Sequence, residues 1–185
     1  MTTSSTSSTH ADGDTDTDTG TGTDRGALLE VSLRILRSHP LGFLATTGPD
    51  GGPRVRLVQH LAVEDDATVW ISASPNSRKV ADATARPEVS YAVEDRAAFG
   101  YATLYARAEL LTTGPELEVH WTESLRPFFP TGPTAGDFAL LRLTPHRIEV
   151  VDFAARVHPD PYGLAAAVLE CGSAGSADSA GKPKV

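Results

Sequence analysis

Pro53-Arg-Val-Arg-Leu-Val-Gln-His-Leu-Ala-Val63, an acidic turn at Glu64-Asp65-Asp66, the apolar run Thr68-Val-Trp-Ile-Ser-Ala73 and then Ser74-Pro75-Asn76-Ser77-Arg78-Lys79: this stretch decides the fold. It reads as a hairpin that delivers two cationic side chains to the start of a helix. The free N–H groups and positive dipole end of a helix N-terminus attract anions, and adjacent Ser, Arg and Lys side chains add hydroxyl donors and charge. A phosphate is the anion these groups suit best.

The first run has a period of two. Val55, Leu57, Gln59, Leu61 and Val63 share one face, and Arg54, Arg56, Val58, His60 and Ala62 share the other. The reading expects the apolar face to be core and the other to carry charge. By spacing alone the simpler reading is a solvated strand face followed by an ordinary capped helix.

Further pieces give the stretch a context. They are Leu44-Ala-Thr-Thr47 before a Gly/Asp turn, Val55-Arg56, Ser77-Arg78-Lys79-Val80, Arg86-Pro87-Glu88-Val89-Ser90, Trp121, Phe128-Phe129-Pro130-Thr131-Gly132-Pro133 and Leu140-Leu141-Arg142-Leu143-Thr144-Pro145. In this order, over about residues 27–153, they resemble the pyridoxamine 5′-phosphate oxidase-like superfamily with its FMN-binding split barrel, especially its general stress protein branch. The resemblance implies a mainly β fold, a six-stranded antiparallel split barrel with flanking helices.

It also implies sites. Arg56, Ser77, Arg78 and Lys79 match the residues that hold the FMN phosphate, with Arg54 as a neighbour on the same strand face. At the strand end, where relatives commonly place a Thr, this chain has Ala73, so Ser72 or Ser74 is left to supply a hydroxyl. Trp121 and Phe129 match an aromatic segment that lies near the flavin ring, often across a two-fold dimer. For Trp121 alone, core packing is the simpler reading.

Composition narrows the partners. The 185 residues suit one domain with tails, and the formal net charge of −8 argues against nucleic acid or an anionic membrane surface. Cys171 is the single cysteine, so no intrachain disulfide forms. The six histidines, at 10, 39, 60, 120, 146 and 158, show no paired metal-ligand spacing, and no metal is expected. No stretch reads as a signal peptide or membrane span, and the expectation is a soluble cytoplasmic protein.

Residues 1–26 hold five Asp against one Arg and almost nothing to bury, so a disordered tail is predicted there. Gly20 and Gly22 lack the strand and spacing of a nucleotide loop. A split-barrel domain is predicted over 27–158 and a small-residue tail, mostly disordered, over 159–185. Within the domain, Ala27–Ser38 reads as an amphipathic helix capped by Asp24, Gly48-Pro-Asp-Gly-Gly52 as a hairpin turn, and Gly100–Thr112 as a long strand with Ala102, Leu104, Ala106, Ala108 and Leu110 inward. Tyr101 and Tyr105 on its other face suit water or a dimer interface, and Trp70 is likewise assigned outward. Thr113–Ser124 is predicted as a helix, Asp137–Leu143 and Arg147–Phe153 as a last hairpin turning at Pro145-His146, and Leu164–Leu169 as a loose helical turn.

These readings lead to an FMN-dependent oxidoreductase that transfers hydride or electrons between a donor and a small molecule. A deazaflavin coenzyme in the same fold, or a non-catalytic flavin-binding or sensing protein, are the alternatives. True pyridoxamine-phosphate oxidase activity is disfavoured by the missing Arg-x-His near the chain end. No catalytic residue emerges. A homodimer with its sites at the interface is expected from the aromatic outer faces and the resemblance.

Overall fold

The computed structural model describes residues 24–158 and 165–172; of the tails predicted over 1–26 and 159–185, residues 1–23, 159–164 and 173–185 lie outside the described residues. Helix α1 spans Arg25–Ser38, and the Asp24 carboxylate accepts the Gly26 N–H as the sequence suggested. Leu28, Ser32, Ile35 and Leu36 are its buried stripe. On its outer side Arg34 pairs with Asp95 at 2.9 Å and with Asp152, which pins the helix to two strand ends.

The strands are β1 (Leu41–Thr47), β2 (Pro53–Val63), β3 (Val69–Ala73), β4 (Glu88–Asp95), β5 (Gly100–Leu111), β6 (Ala139–Asp152) and β7 (Ala167–Glu170), with helix α2 (Arg78–Ala85) between β3 and β4. They form one antiparallel sheet in the order β3-β2-β1-β4-β5-β6-β7, and β3 also pairs with β6. That last pairing closes β1–β6 into a six-stranded barrel, with β7 added on β6. The predicted Gly48–Gly52 turn links β1 to β2: Gly51 sits at φ +80, and the Gly48 and Gly52 backbones close on each other. Along β5, Ala102, Leu104, Ala106 and Ala108 are buried and alternate with exposed or half-buried residues, as expected for one core face.

Several expectations are corrected. The predicted last hairpin is one continuous strand. β6 runs through Pro145 and His146, where its register against β5 slips between Tyr105 and Ala106. A proline cannot donate to the ladder, and a bulge is one place where a strand tolerates it. The bend lets the first half of β6 close on β3 and the second half carry β7. That added strand, Ala167–Glu170, takes up the end of the stretch predicted as a helical turn over Leu164–Leu169. The predicted 113–124 helix shrinks to α3 (Glu116–Val119) and a 3-10 turn over Glu123–Leu125, separated by Thr122 in extended conformation.

The facing of β2 is the reverse of the prediction. Val55 and Leu57 point outward, 63% and 55% exposed, whereas Val58 and His60 are buried on the face that also carries Arg54 and Arg56. Alternation defines two faces but not which one is inside. Trp70 is corrected in the same sense: it is buried with Leu117, Leu125, Phe129, Phe138 and Leu140, and its Nε1–H donates to Glu64 at 2.7 Å.

His60 reaches across the barrel to the Tyr91 hydroxyl, Nδ1 to Oη 2.8 Å, and both side chains are buried. Burial pushes the His60 pKa down, with the Leu36 carbonyl acting the other way, and pushes the Tyr91 pKa up. A histidine whose folded pKa is lowered contributes stability that is complete above its unfolded value of about 6.5 and is lost as pH falls through the folded value. The melting temperature therefore falls from about pH 6.5 downward, and His60→Gln makes that fall shallower. Equal slopes in the two proteins would disprove the assignment.

Candidate functional site

β2 pairs with β3 only from His60 onward, so residues 53–59 are held by β1 alone and their other edge is open. The chain leaves β3 at Ala73, turns with the Ser77 N–H bonded to the Ser74 carbonyl at 3.0 Å, and starts α2 opposite that edge. The gap between strand edge and helix start is a cavity of about 470 Å³ lined by Arg54, Val55, Arg56, Ser77, Arg78 and Lys79. All but Val55 are among the residues that the sequence singled out.

Four cations thus converge in a protein of net charge −8. Lys79 is about half buried, and its pKa is lowered by desolvation and by the nearby Arg56 charge. The Arg56 pKa is also lowered, by burial first; Asp82 opposes this, and Arg54 and Arg78 add to it. Cations held this close to one another favour an anion between them. Ser77 caps α2 by position but its side chain makes no capping bond, and its buried Oγ has no partner among the described residues. A buried hydroxyl without a partner is costly, and an anion in the cleft would accept from it.

Two contributors were not anticipated. Asp82, 5% exposed on α2, accepts the Thr46 hydroxyl at 3.0 Å and Arg54 Nη1 at 3.3 Å, and lies 3.6 Å from Arg56 Nη2. Arg56 Nη1 in turn donates to Thr46 Oγ at 2.7 Å and to the Leu44 carbonyl at 3.2 Å. In the sequence, Asp82 three residues after Lys79 is indistinguishable from a solvated helix position.

The other predicted site residues are elsewhere. Ser74 is exposed in the turn before α2 and does not line the cavity. Trp121 and Phe129 pack edge-on against Phe138, with centroids 5.2 and 5.1 Å away, in the cluster that buries Trp70. Within one chain they stand apart from the cleft. Phe128, beside them, is 77% exposed. Among the described residues no group of three or more His, Cys, Asp or Glu is placed to hold a metal ion, and no helix is long and apolar enough to cross a membrane.

A six-stranded antiparallel barrel with a cationic cleft at a helix start defines the class. The sequence model of the family described as Pyridoxamine 5′-phosphate oxidase matches residues 28–152, and the chain belongs to that family. No curated protein matches the sequence.

Solved structures share the fold. A protein related to general stress protein 26 from Clostridium acetobutylicum superposes with a TM-score of 0.62 at 19% identity, over 70% of this chain and 91% of that one. A pyridoxamine 5′-phosphate oxidase-related, FMN-binding protein from Nostoc punctiforme gives 0.57 at 14% identity, over 79% and 95%. A heme-binding protein from Mycobacterium smegmatis gives 0.55 at 21%, over 66% of this chain and 53% of that one. Solved structures that share this fold thus include one described as FMN-binding and one described as heme-binding.

Proposed function

We propose that the protein binds FMN by its phosphate in the cleft between β2 and α2 and serves as a flavin-dependent oxidoreductase acting on a small molecule. The observation that carries this reading is the buried, unpartnered Ser77 hydroxyl set among Arg54, Arg56, Arg78 and Lys79. These residues fit a phosphate monoester: the guanidinium groups and Lys79 meet its charge, and Ser77 and the first N–H groups of α2 donate to its oxygens. When bound, the flavin ring supplies the redox chemistry, and the protein's part is to anchor, orient and shield it. Heme is a poorer match, because no histidine lines this cleft.

A homodimer completes the reading. Leu41 and Phe43 on β1 and Val55 and Leu57 on β2 are each more than half exposed and lie side by side, with Phe43 opposite Leu57 in register. Such an apolar sheet face next to the cleft suits a second copy, which would cover the site from outside and bring its own Trp121 and Phe128 segment within reach.

The test is direct. The purified protein reconstituted with FMN should carry a flavin absorbance band that a reduced nicotinamide bleaches. Binding without bleaching leaves a flavin-binding or sensing protein, and failure to bind sinks the proposal. Added FMN should also raise the melting temperature and hold the dimer together on dilution, because a ligand of the folded dimer stabilises it by mass action. Light scattering with and without FMN reads this, and a monomer that binds FMN with full affinity would defeat the dimer.

A further inference from the structure

We propose that Asp82 is the positioning residue of the cationic cleft: its buried carboxylate, tied to Thr46, Arg54 and Arg56, sets both guanidinium groups toward the ligand's phosphate before any ligand arrives. This rests on the phosphate reading of the same cleft but concerns a residue that does not line it. Asp82 is one turn along α2 from Arg78 and Lys79, so a single carboxylate braces the helix start against the open edge of β2.

The network has one consistent sense. Arg56 Nη1 donates to Thr46 Oγ, the Thr46 hydroxyl donates to Asp82, and Asp82 also accepts from Arg54. Asp82 is therefore an acceptor at both of its oxygens, a role that suits a carboxylate. A carboxylate this deeply buried is tolerated only when it is paired and hydrogen-bonded, and here its ionic partners are two of the residues that line the cleft.

Two consequences follow. The long arginine side chains surrender their rotamer freedom during folding instead of on binding, which is preorganisation of an anion site. The negative charge also offsets the mutual repulsion of Arg54, Arg56, Arg78 and Lys79 while the cleft holds no anion. Arg54 engages Asp82 through Nη1, which leaves its remaining donors for a ligand.

The experiment combines side-chain nitrogen NMR of the ligand-free protein with FMN titration. In the wild type the Arg56 Nη signals should be resolved, because Nη1 donates to Thr46 and Leu44 while Nη2 faces the Asp82 carboxylate, and in Asp82→Asn they should average. Asp82→Asn should weaken FMN binding by about tenfold or more, the scale of one lost charge-assisted interaction. In a background of Arg54→Ala and Arg56→Ala the same substitution should change affinity by less than about twofold, because a residue that acts through those arginines has nothing left to position.

Should Asp82→Asn fail to fold, Thr46→Val removes the bridging hydroxyl at nearly constant shape and should release the Arg56 signals in the same way. Resolved Nη signals in the variants, or an equal loss of affinity with and without the arginines, would overturn the proposal. A wild type that binds no FMN, but whose Arg56 is freed by Asp82→Asn, would remove the flavin reading and leave the positioning role standing.

Discussion

Replacing Ser77 and Lys79 together with alanine should sharply weaken the proposed FMN binding and leave the barrel folded. Charge-assisted hydrogen bonds contribute about 1.5–3 kcal/mol each, so losing two weakens binding by a factor of about 10² to 10⁴. The ligand-free protein should not suffer. Ser77 Oγ is buried without a partner, and Lys79 forms no ion pair among the described residues and is pressed by Arg56. Removing an unsatisfied hydroxyl and a repelled ammonium relieves the fold. Flavin titration and a melting curve of the double variant measure both sides. An unchanged dissociation constant would show that the phosphate sits elsewhere.

The largest loss of stability is expected at Gly42. This buried residue on β1 faces the Tyr91 ring, and a Cβ placed there would lie 2.6 Å from Tyr91 Cζ and Oη and 2.7 Å from the Ala92 carbonyl. One of these is backbone of the neighbouring strand, so the clash cannot be relieved by a rotamer change. Pushing Tyr91 aside also breaks its bond to His60. Overpacking costs about 1–3 kcal/mol and a buried polar group left unpaired costs a similar amount, so Gly42→Ala should destabilise by about 2–5 kcal/mol. For a chain of this size that is a fall in melting temperature of about 5–15 °C. A variant that melts within about 2 °C of wild type would show that the barrel interior has more room than its contacts indicate.

Much of the cleft was legible before the fold was known. The period of two in β2 already placed Arg54 and Arg56 on one face, and Ser77-Arg78-Lys79 followed by Val80 already read as a helix start. What the pattern did not reveal was the sense of the strand. Val55 and Leu57 looked like core, yet they face outward, because the arginine face is satisfied internally by Asp82 and Thr46, two residues from other elements.

Trp70 failed for a similar reason: the cover that buries it comes from residues 117–140, far along the chain. Pro145-His146 reads in sequence as the turn of a last hairpin, and only the slip in register against β5 shows that the strand absorbs it. Four-residue β7 carries too short a pattern to be separated from a helical turn.

The open edge of β2 sets a limit on how this protein can be improved. Seven residues of the strand forgo a neighbour so that a helix start can stand beside them. A variant in which β3 was lengthened to zip along that edge would gain hydrogen bonds and become a more perfect barrel, while filling the space proposed for an anion. Engineering for heat resistance and selection for ligand capture therefore pull this seam in opposite directions, and thermostable variants obtained without a binding screen should be found to have closed it.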